Sequence, residues 1–255
     1  AIEYMNSITG FNAMDKTVRC GAGVITEQLQ NYAEEQGLFY PVDFASAGSS
    51  QIGGNIGTNA GGIKVIRYGM TRDWVAGLTV VTGKGDILEL NKDLVKNNTG
   101  YDMRQLFIGG EGTLGFVTEA TMRLTRPAKN LTVLVLGVPE FEAIMSVLNT
   151  FQTNIDLTAF EFFSDKAMRK VVARGDVPAP FETEAEYYAL LEFEAETEGL
   201  IDQAMELFEK CMEEGWVLDG VMSQSETQAK NLWRLREDIS ETIAEWTPYK
   251  NDISV

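Results

Sequence analysis

Along the chain, apolar positions change period in a way that predicts both elements and a division. Residues 17–26 (TVRCGAGVIT) read as a strand, and Glu27 to Gln36 carry a helical spacing that Gly37 would end as a C-cap. Residues 76–82 and 86–90 flank Gly83-Lys84-Gly85 and predict a β-hairpin. A short helix follows Tyr101, and Phe116 to Leu124 is a further strand. Between these elements, Ala45 to Gly62 shows neither a helical nor a strand period. Beyond Pro127 the grammar changes to strict alternation: strand 131–138, helix 140–152, strand 157–163, helix 164–174, strand 187–195, helix 198–214, strand 216–222 and helix 225–246. Leu200, Ile201, Met205, Leu207, Phe208 and Met212 make one broad apolar face, so these side chains are assigned to core packing. The expectation is an α+β chain of two domains, 1–127 and 128–255. The second is expected to be an antiparallel sheet covered on one face.

Composition narrows the chemistry. With 255 residues, 44% of them apolar, the chain can bury two cores. Its formal charge of −17 argues against binding nucleic acid, which needs clustered Lys and Arg. An anionic substrate would need a local basic pocket inside a repulsive field. Cys20 and Cys211 lie far apart with no metal-type spacing, which fits a reducing compartment such as the cytoplasm. No apolar run is long enough to span a bilayer. The chain holds no His, so a Ser-His-Asp triad, histidine acid–base work and a His-ligated metal are excluded within it.

Two glycine constellations carry the functional signal. In the stretch from Gly48 to Gly62 (GSSQIGGNIGTNAGG), missing Cβ atoms would let a flat ring or a phosphate reach the main chain. Interleaved Ser49, Ser50, Asn55, Thr58 and Asn59 supply donors and acceptors. A flexible spacer is the plainer reading of such a stretch, but Ile52, Ile56 and Ala60 imply partial burial. The second constellation, Gly110 to Gly115 (GEGTLG), matches the dinucleotide pattern GxGxxG. A nicotinamide-type turn must open a helix, whereas strand residues Phe116 to Leu124 follow here. That reading is rejected.

Taken in order, Gly48 to Gly62, Arg67-Tyr68-Gly69, Lys96 to Asp102 and Leu106 to Gly115 resemble the FAD-binding domain of the vanillyl-alcohol-oxidase-type flavoproteins. The nearest branch is the D-lactate, glycolate and D-2-hydroxyglutarate dehydrogenases. The resemblance continues through Leu232 to Glu237 and Tyr249 to Val255, and so covers nearly the whole chain. It implies the C-terminal lobe of a PCMH-type FAD-binding domain (1–127), followed by part of a ferredoxin-like α+β cap domain (128–255). Such enzymes are roughly twice this length, so a pyrophosphate loop is expected before Ala1 and a His-rich segment, with metal ligands and the catalytic base, after Val255.

By the same resemblance the cofactor is FAD, held non-covalently and only weakly by this piece alone, with a divalent metal implied for the longer protein. Gly48, Ser49, Ser50, Gly53, Gly54, Asn55, Thr58 and Asn59 are implied along the flavin, with Pro41, Glu111, Gly112, Gly115 and Val117 completing its envelope. Arg236, Ser240 and Lys250 are implied to hold substrate carboxylates. Arg236 and Ser240 stand four apart and share one helix face. The implied partners are a small 2-hydroxy acid and an electron acceptor that the residues do not specify, in a homodimer or a multi-subunit flavoenzyme. Two alternatives stand beside this reading. One is a non-catalytic module of a multi-chain flavoprotein. The other is a same-fold oxidoreductase of another alcohol, against which the cation pair Arg236 and Lys250 argues.

Overall fold

The computed structural model describes residues 4–91, 94–244 and 247. The chain divides into two compact units, Ala1–Pro127 and Ala128–Val255.

The first unit contains β1 (Ile8–Asn12), β2 (Thr17–Gly21), α1 (Thr26–Glu35), α2 (Ile52–Thr58), α3 (Val65–Tyr68), α4 (Thr71–Trp74), β3 (Val75–Thr82), β4 (Ile87–Leu90), α5 (Arg104–Phe107) and β5 (Gly115–Arg123). Its sheet is antiparallel throughout, in the order β1-β2-β5-β3-β4. The β3–β4 hairpin turns through Gly85 at φ +87, a conformation glycine adopts without strain. In β2, Val18 and Cys20 are buried while Arg19 is exposed, the period of a half-buried strand. Together with Leu29 of α1 and Ile52 and Ile56 of α2, they form the core of the unit.

Two expectations are corrected in this unit. The strand expected over 17–26 stops at Gly21, and Thr26 already opens α1. There the Gln28 side chain accepts the Ile25 N–H at 3.2 Å, half of a capping arrangement. The stretch expected to lack regular structure contains the helix α2. Its apolar period is real but short: Ile52 and Ile56 stand four apart and both face inward. Glycine disfavours a helix by about 1 kcal/mol per residue relative to Ala, and α2 contains three. Packing overrides that propensity here. A left-handed Asn59 (φ 49, ψ 52) ends the helix, its N–H returning to Ile56 O at 3.1 Å.

The second unit contains β6 (Leu131–Val138), α6 (Phe141–Gln152), β7 (Leu157–Ser164), α7 (Asp165–Ala173), β8 (Tyr187–Glu194), α8 (Glu198–Glu213), β9 (Asp219–Met222) and α9 (Glu226–Ala244). The sheet order β7-β8-β6-β9 is the ferredoxin-like arrangement, with α7 added between its second and third strands. Helices α6 and α8 cover one face through Leu136, Val147, Phe151, Leu191 and Leu207. The other face is covered too, because α7 packs on α9 and α9 lies against β6 and β7. The one-sided sheet is therefore corrected. Residues Val133 to Leu136 of β6 are all buried, at both parities of the strand, as in a sheet layered on both sides. The strand expected from 216 is shorter and starts at Asp219. Among the described residues, no helix is long and apolar enough to cross a membrane.

Candidate functional site

In the first unit the chain folds around an open cleft of about 480 Å³. One side is the outward edge of α2 with the end of β2: Ala22, Gln51, Gly53, Gly54, Gly57 and Thr58. The other is the turn into β5 with Phe107: Glu111, Gly112, Gly115, Phe116 and Val117. The sides are stitched through backbone, since Gly109 N–H reaches Ile56 O and Glu111 N–H reaches Gly57 O, both at 2.9 Å. A tight turn makes this fit, with Gly109, Glu111 and Gly112 at φ +78, +48 and +75. Arg72 braces the same turn, donating from Nη2 to Ile108 O at 3.3 Å while its N–H reaches Asn59 Oδ1 at 3.0 Å.

The glycines of the cleft fall into two kinds. At Gly53 a Cβ would lie 2.6 Å from Ala22 Cβ, and at Gly115 one would lie 2.8 Å from Val80 Cγ1. Those two glycines permit close packing of α2 on the turn after β2 and of β5 beside β3. At Gly54, Gly57 and Gly112 a Cβ would meet nothing within 4 Å. These three present bare backbone to open space. Phe116 and Leu114, 48% and 52% exposed, add apolar surface at and beside the cleft.

Among the implied cofactor residues, Gly53, Gly54, Thr58, Glu111, Gly112, Gly115 and Val117 line the cleft. The others are placed elsewhere. Asn55 is buried and donates from Nδ2 to Thr26 Oγ1 at 2.7 Å, and Thr26 Oγ1 lies 2.8 Å from Ser50 Oγ. This polar chain pins α2 to α1. Asn59 caps α2, Pro41 is buried, and Gly48 and Ser49 lie exposed in a turn. Ala22, Gln51, Gly57 and Phe107 join the cleft without having been singled out in the sequence. Gly57 had a signal: it stands three and four residues after Gly54 and Gly53 on the same helix. Ala22 had none, because only the packing of Gly53 brings it there.

In the second unit, α9 turns one stripe toward the sheet. Trp233 donates from Nε1 to Glu192 Oε2 at 2.9 Å, and Thr158 Oγ1 donates to Glu192 Oε1 at 2.7 Å. Glu192 is 3% exposed, so these bonds support a buried carboxyl group. One turn on, Arg236 donates from Nε to Glu161 Oε2 at 2.8 Å. Arg236 thus faces the sheet, whereas Arg234 pairs with Asp238 at 2.9 Å on the flank of the helix. Ser240 follows, exposed. Lys250 lies outside the described residues. Among those residues, no three His, Cys, Asp or Glu side chains are grouped to hold a metal ion.

Burial pushes the Glu161 carboxyl above the ordinary glutamate value of 4.5, and the charge and hydrogen bond of Arg236 only partly offset this. A raised folded value means the fold prefers the protonated acid. Stability from this group is thus present below 4.5 and lost as pH rises through the folded value. Glu161→Gln is therefore expected to melt at or above the parent temperature near neutral pH. Its advantage should shrink as pH falls through the folded value of Glu161 toward 4.5. A melting temperature well below the parent at neutral pH would contradict this account.

Comparison with known proteins finds one family match toward each end of the chain. Residues 1–91 match the FAD binding domain family, and residues 127–255 match the C-terminal domain of FAD linked oxidases. The chain is 73% identical to a D-2-hydroxyglutarate dehydrogenase of Stutzerimonas stutzeri, with 100% of this chain covering 55% of that protein. Against the enzyme of the same name from Xanthomonas citri the identity is 56%, with 100% and 54% covered. The mitochondrial enzyme of that name from Bos taurus is 36% identical, with 98% and 47% covered. The chain thus spans about half the length of these relatives. In fold it resembles alkyldihydroxyacetonephosphate synthase, with a TM-score of 0.70 at 19% identity over 95% of this chain and 45% of that one. By its two family matches, the chain belongs to the FAD-linked oxidases.

Proposed function

We propose that this chain forms one wall of the flavin site and part of the substrate side of an FAD-dependent dehydrogenase. The substrate would be D-2-hydroxyglutarate or a close 2-hydroxy acid, oxidised to the 2-keto acid. The observation that carries the reading is the row of bare backbone at Gly54, Gly57 and Gly112, facing a cleft of about 480 Å³. A Cβ would fill that space. The size and the mix of apolar wall with a few polar groups suit part of a planar aromatic cofactor. When bound, FAD supplies the hydride acceptor that such an oxidation needs.

On this reading Gly54, Gly57 and Gly112 admit the ring, Phe116 gives it an apolar wall, and Thr58 and Glu111 offer hydrogen-bonding partners. Arg236, Ser240 and Lys250 meet the substrate carboxylates, giving a chain of charge −17 the local cations it needs. The names of the relatives support the dicarboxylic acid over lactate or glycolate. Two free, buried cysteines suit a reducing compartment such as the cytoplasm.

The test is made on the full-length protein. D-2-hydroxyglutarate, D-lactate and glycolate are each added under anaerobic conditions and loss of the oxidised-flavin absorbance is followed. Rapid bleaching by D-2-hydroxyglutarate and slow bleaching by the other two is expected. A colourless protein that takes up no added FAD would sink the flavoenzyme reading, and a flavoprotein indifferent to all three acids would sink the substrate.

A further inference from the structure

We propose that Glu161 is a positioning residue for the substrate-binding arginine: its carboxylate takes the Nε–H of Arg236 and so presents the two terminal amines of the guanidinium to an incoming carboxylate. This rests on the reading of Arg236 as a substrate ligand. It concerns what aims that ligand, which the reading itself leaves open.

The second unit has four arginines, and they use their donors differently. Arg234 gives both Nε, at 3.0 Å, and Nη2, at 2.9 Å, to Asp238. Arg169 gives Nε to Asp165 at 2.6 Å and Nη2 to Glu184 at 2.9 Å. Arg174 gives Nη1 to Thr242 at 3.1 Å and Nη2 toward Glu241 at 3.5 Å. Arg236 differs in what is left over: Nε makes its one bond, at 2.8 Å, and among the described residues its terminal amines have no protein partner, whereas each of the other three engages a terminal amine. A guanidinium is planar, so fixing Nε sets the direction of the Nη1–Nη2 edge, the edge that can meet a carboxylate with two parallel hydrogen bonds. A long side chain left to itself would spread over several rotamers.

Structure alone gives Glu161 little reason to be there. Helix α9 is already fastened to the sheet one turn earlier through Trp233, Glu192 and Thr158. Side chains 33% and 20% exposed place the Arg236–Glu161 pair at the margin of the interior, where desolvation of the carboxylate outweighs what the arginine returns. A carboxylate kept at such a position fits a role in function better than one in stability.

The experiment uses steady-state kinetics of the full-length flavoprotein with D-2-hydroxyglutarate. Four variants are compared with the parent: Arg236→Ala, Glu161→Met, Glu161→Gln and the double variant Glu161→Met/Arg236→Ala. Met keeps the length of Glu, so it leaves no cavity, but offers only a weak thioether acceptor and no charge, while Gln keeps a carbonyl acceptor for Nε. Arg236→Ala should lower kcat/KM by about tenfold or more. Glu161→Met should raise KM by roughly five- to tenfold with kcat within about twofold, and Glu161→Gln should recover most of that loss. The double variant should be no worse than Arg236→Ala alone, because Glu161 acts only through the arginine.

An unchanged KM in Glu161→Met, beside a clear defect in Arg236→Ala, would overturn the positioning role and leave the arginine's role standing. Equal defects in Met and Gln, or additive losses in the double variant, would also overturn it. Should Arg236→Ala itself change nothing, the substrate reading of Arg236 falls, and this inference with it. Should Glu161→Met not fold, the pair Glu161→Gln and Glu161→Gln/Arg236→Ala decides. A Gln variant with the KM defect of Arg236→Ala overturns the proposal, and one near the parent beside a defective double variant supports it.

Discussion

Leucine at Gly54 is expected to leave the protein folded and the full-length enzyme without flavin. Gly54 lies inside α2 and is not among the glycines with positive φ, so an L residue meets no backbone strain there. A Cβ at this site would touch nothing within 4 Å, and the longer side chain would extend into the cleft. Helix propensity favours the change by somewhat under about 1 kcal/mol, so the melting temperature should hold or rise. The neighbouring position should behave in the opposite way. At Gly53 a Cβ would stand 2.6 Å from Ala22 Cβ and 3.1 Å from Ala22 O, so Gly53→Ala must push α2 off the turn that follows β2. Overpacking of this kind costs about 1–3 kcal/mol. The ratio of flavin to protein and the melting temperature, measured on both variants, check the pair of expectations. A Gly54→Leu protein that purified with one flavin per chain would show that the cleft is not the flavin site.

The second large effect is expected at Arg236. Removing a charge-assisted contact to a carboxylate is worth about 1.5–3 kcal/mol, which corresponds to roughly 10- to 150-fold in kcat/KM. Arg236→Ala should show that loss mainly in KM for D-2-hydroxyglutarate, because the contact serves ground state and transition state alike. Flavin content should not change, since Arg236 is not among the cleft residues. The fold should survive as well, because Trp233 still holds α9 through Glu192. Parallel kinetics with D-lactate sharpen the test. If the arginine serves the carboxylate that lactate lacks, lactate kinetics should scarcely move. Equal losses on both acids would assign Arg236 to the carboxylate they share. No loss on either would remove it from the site.

Much of this protein could be read from short-range pattern. The β3–β4 hairpin announced itself by two apolar runs around Gly83-Lys84-Gly85, and the long helices α6, α8 and α9 by sustained amphipathic spacing. The GxGxxG at Gly110 was correctly separated from a nucleotide-binding helix, because the strand residues after it are local information; Gly115 does open β5. Helix α2 was missed for the converse reason. Seven residues with three glycines carry almost no helical signal, and the helix exists because Asn55, Ile52 and Ile56 find partners from α1 and the sheet. The second covered face of the β6–β9 sheet had left a trace in the unbroken apolar run of β6, but periodicity alone does not say what lies on each side.

What the sequence determined by itself was therefore the alternation of elements, the two-part division near Pro127, and the presence of glycine stretches of a flavoprotein kind. Each of these depends on residues close together in the chain. What only the tertiary structure decided was which glycine faces which neighbour. Gly53 and Gly54 are indistinguishable as letters, yet one is pressed against Ala22 and the other faces open space. Likewise the amide of Asn55 turns to Thr26, 29 residues away, and the Nε of Arg236 turns to Glu161, 75 residues away. A side chain's direction follows from packing between distant segments, and no local pattern encodes that.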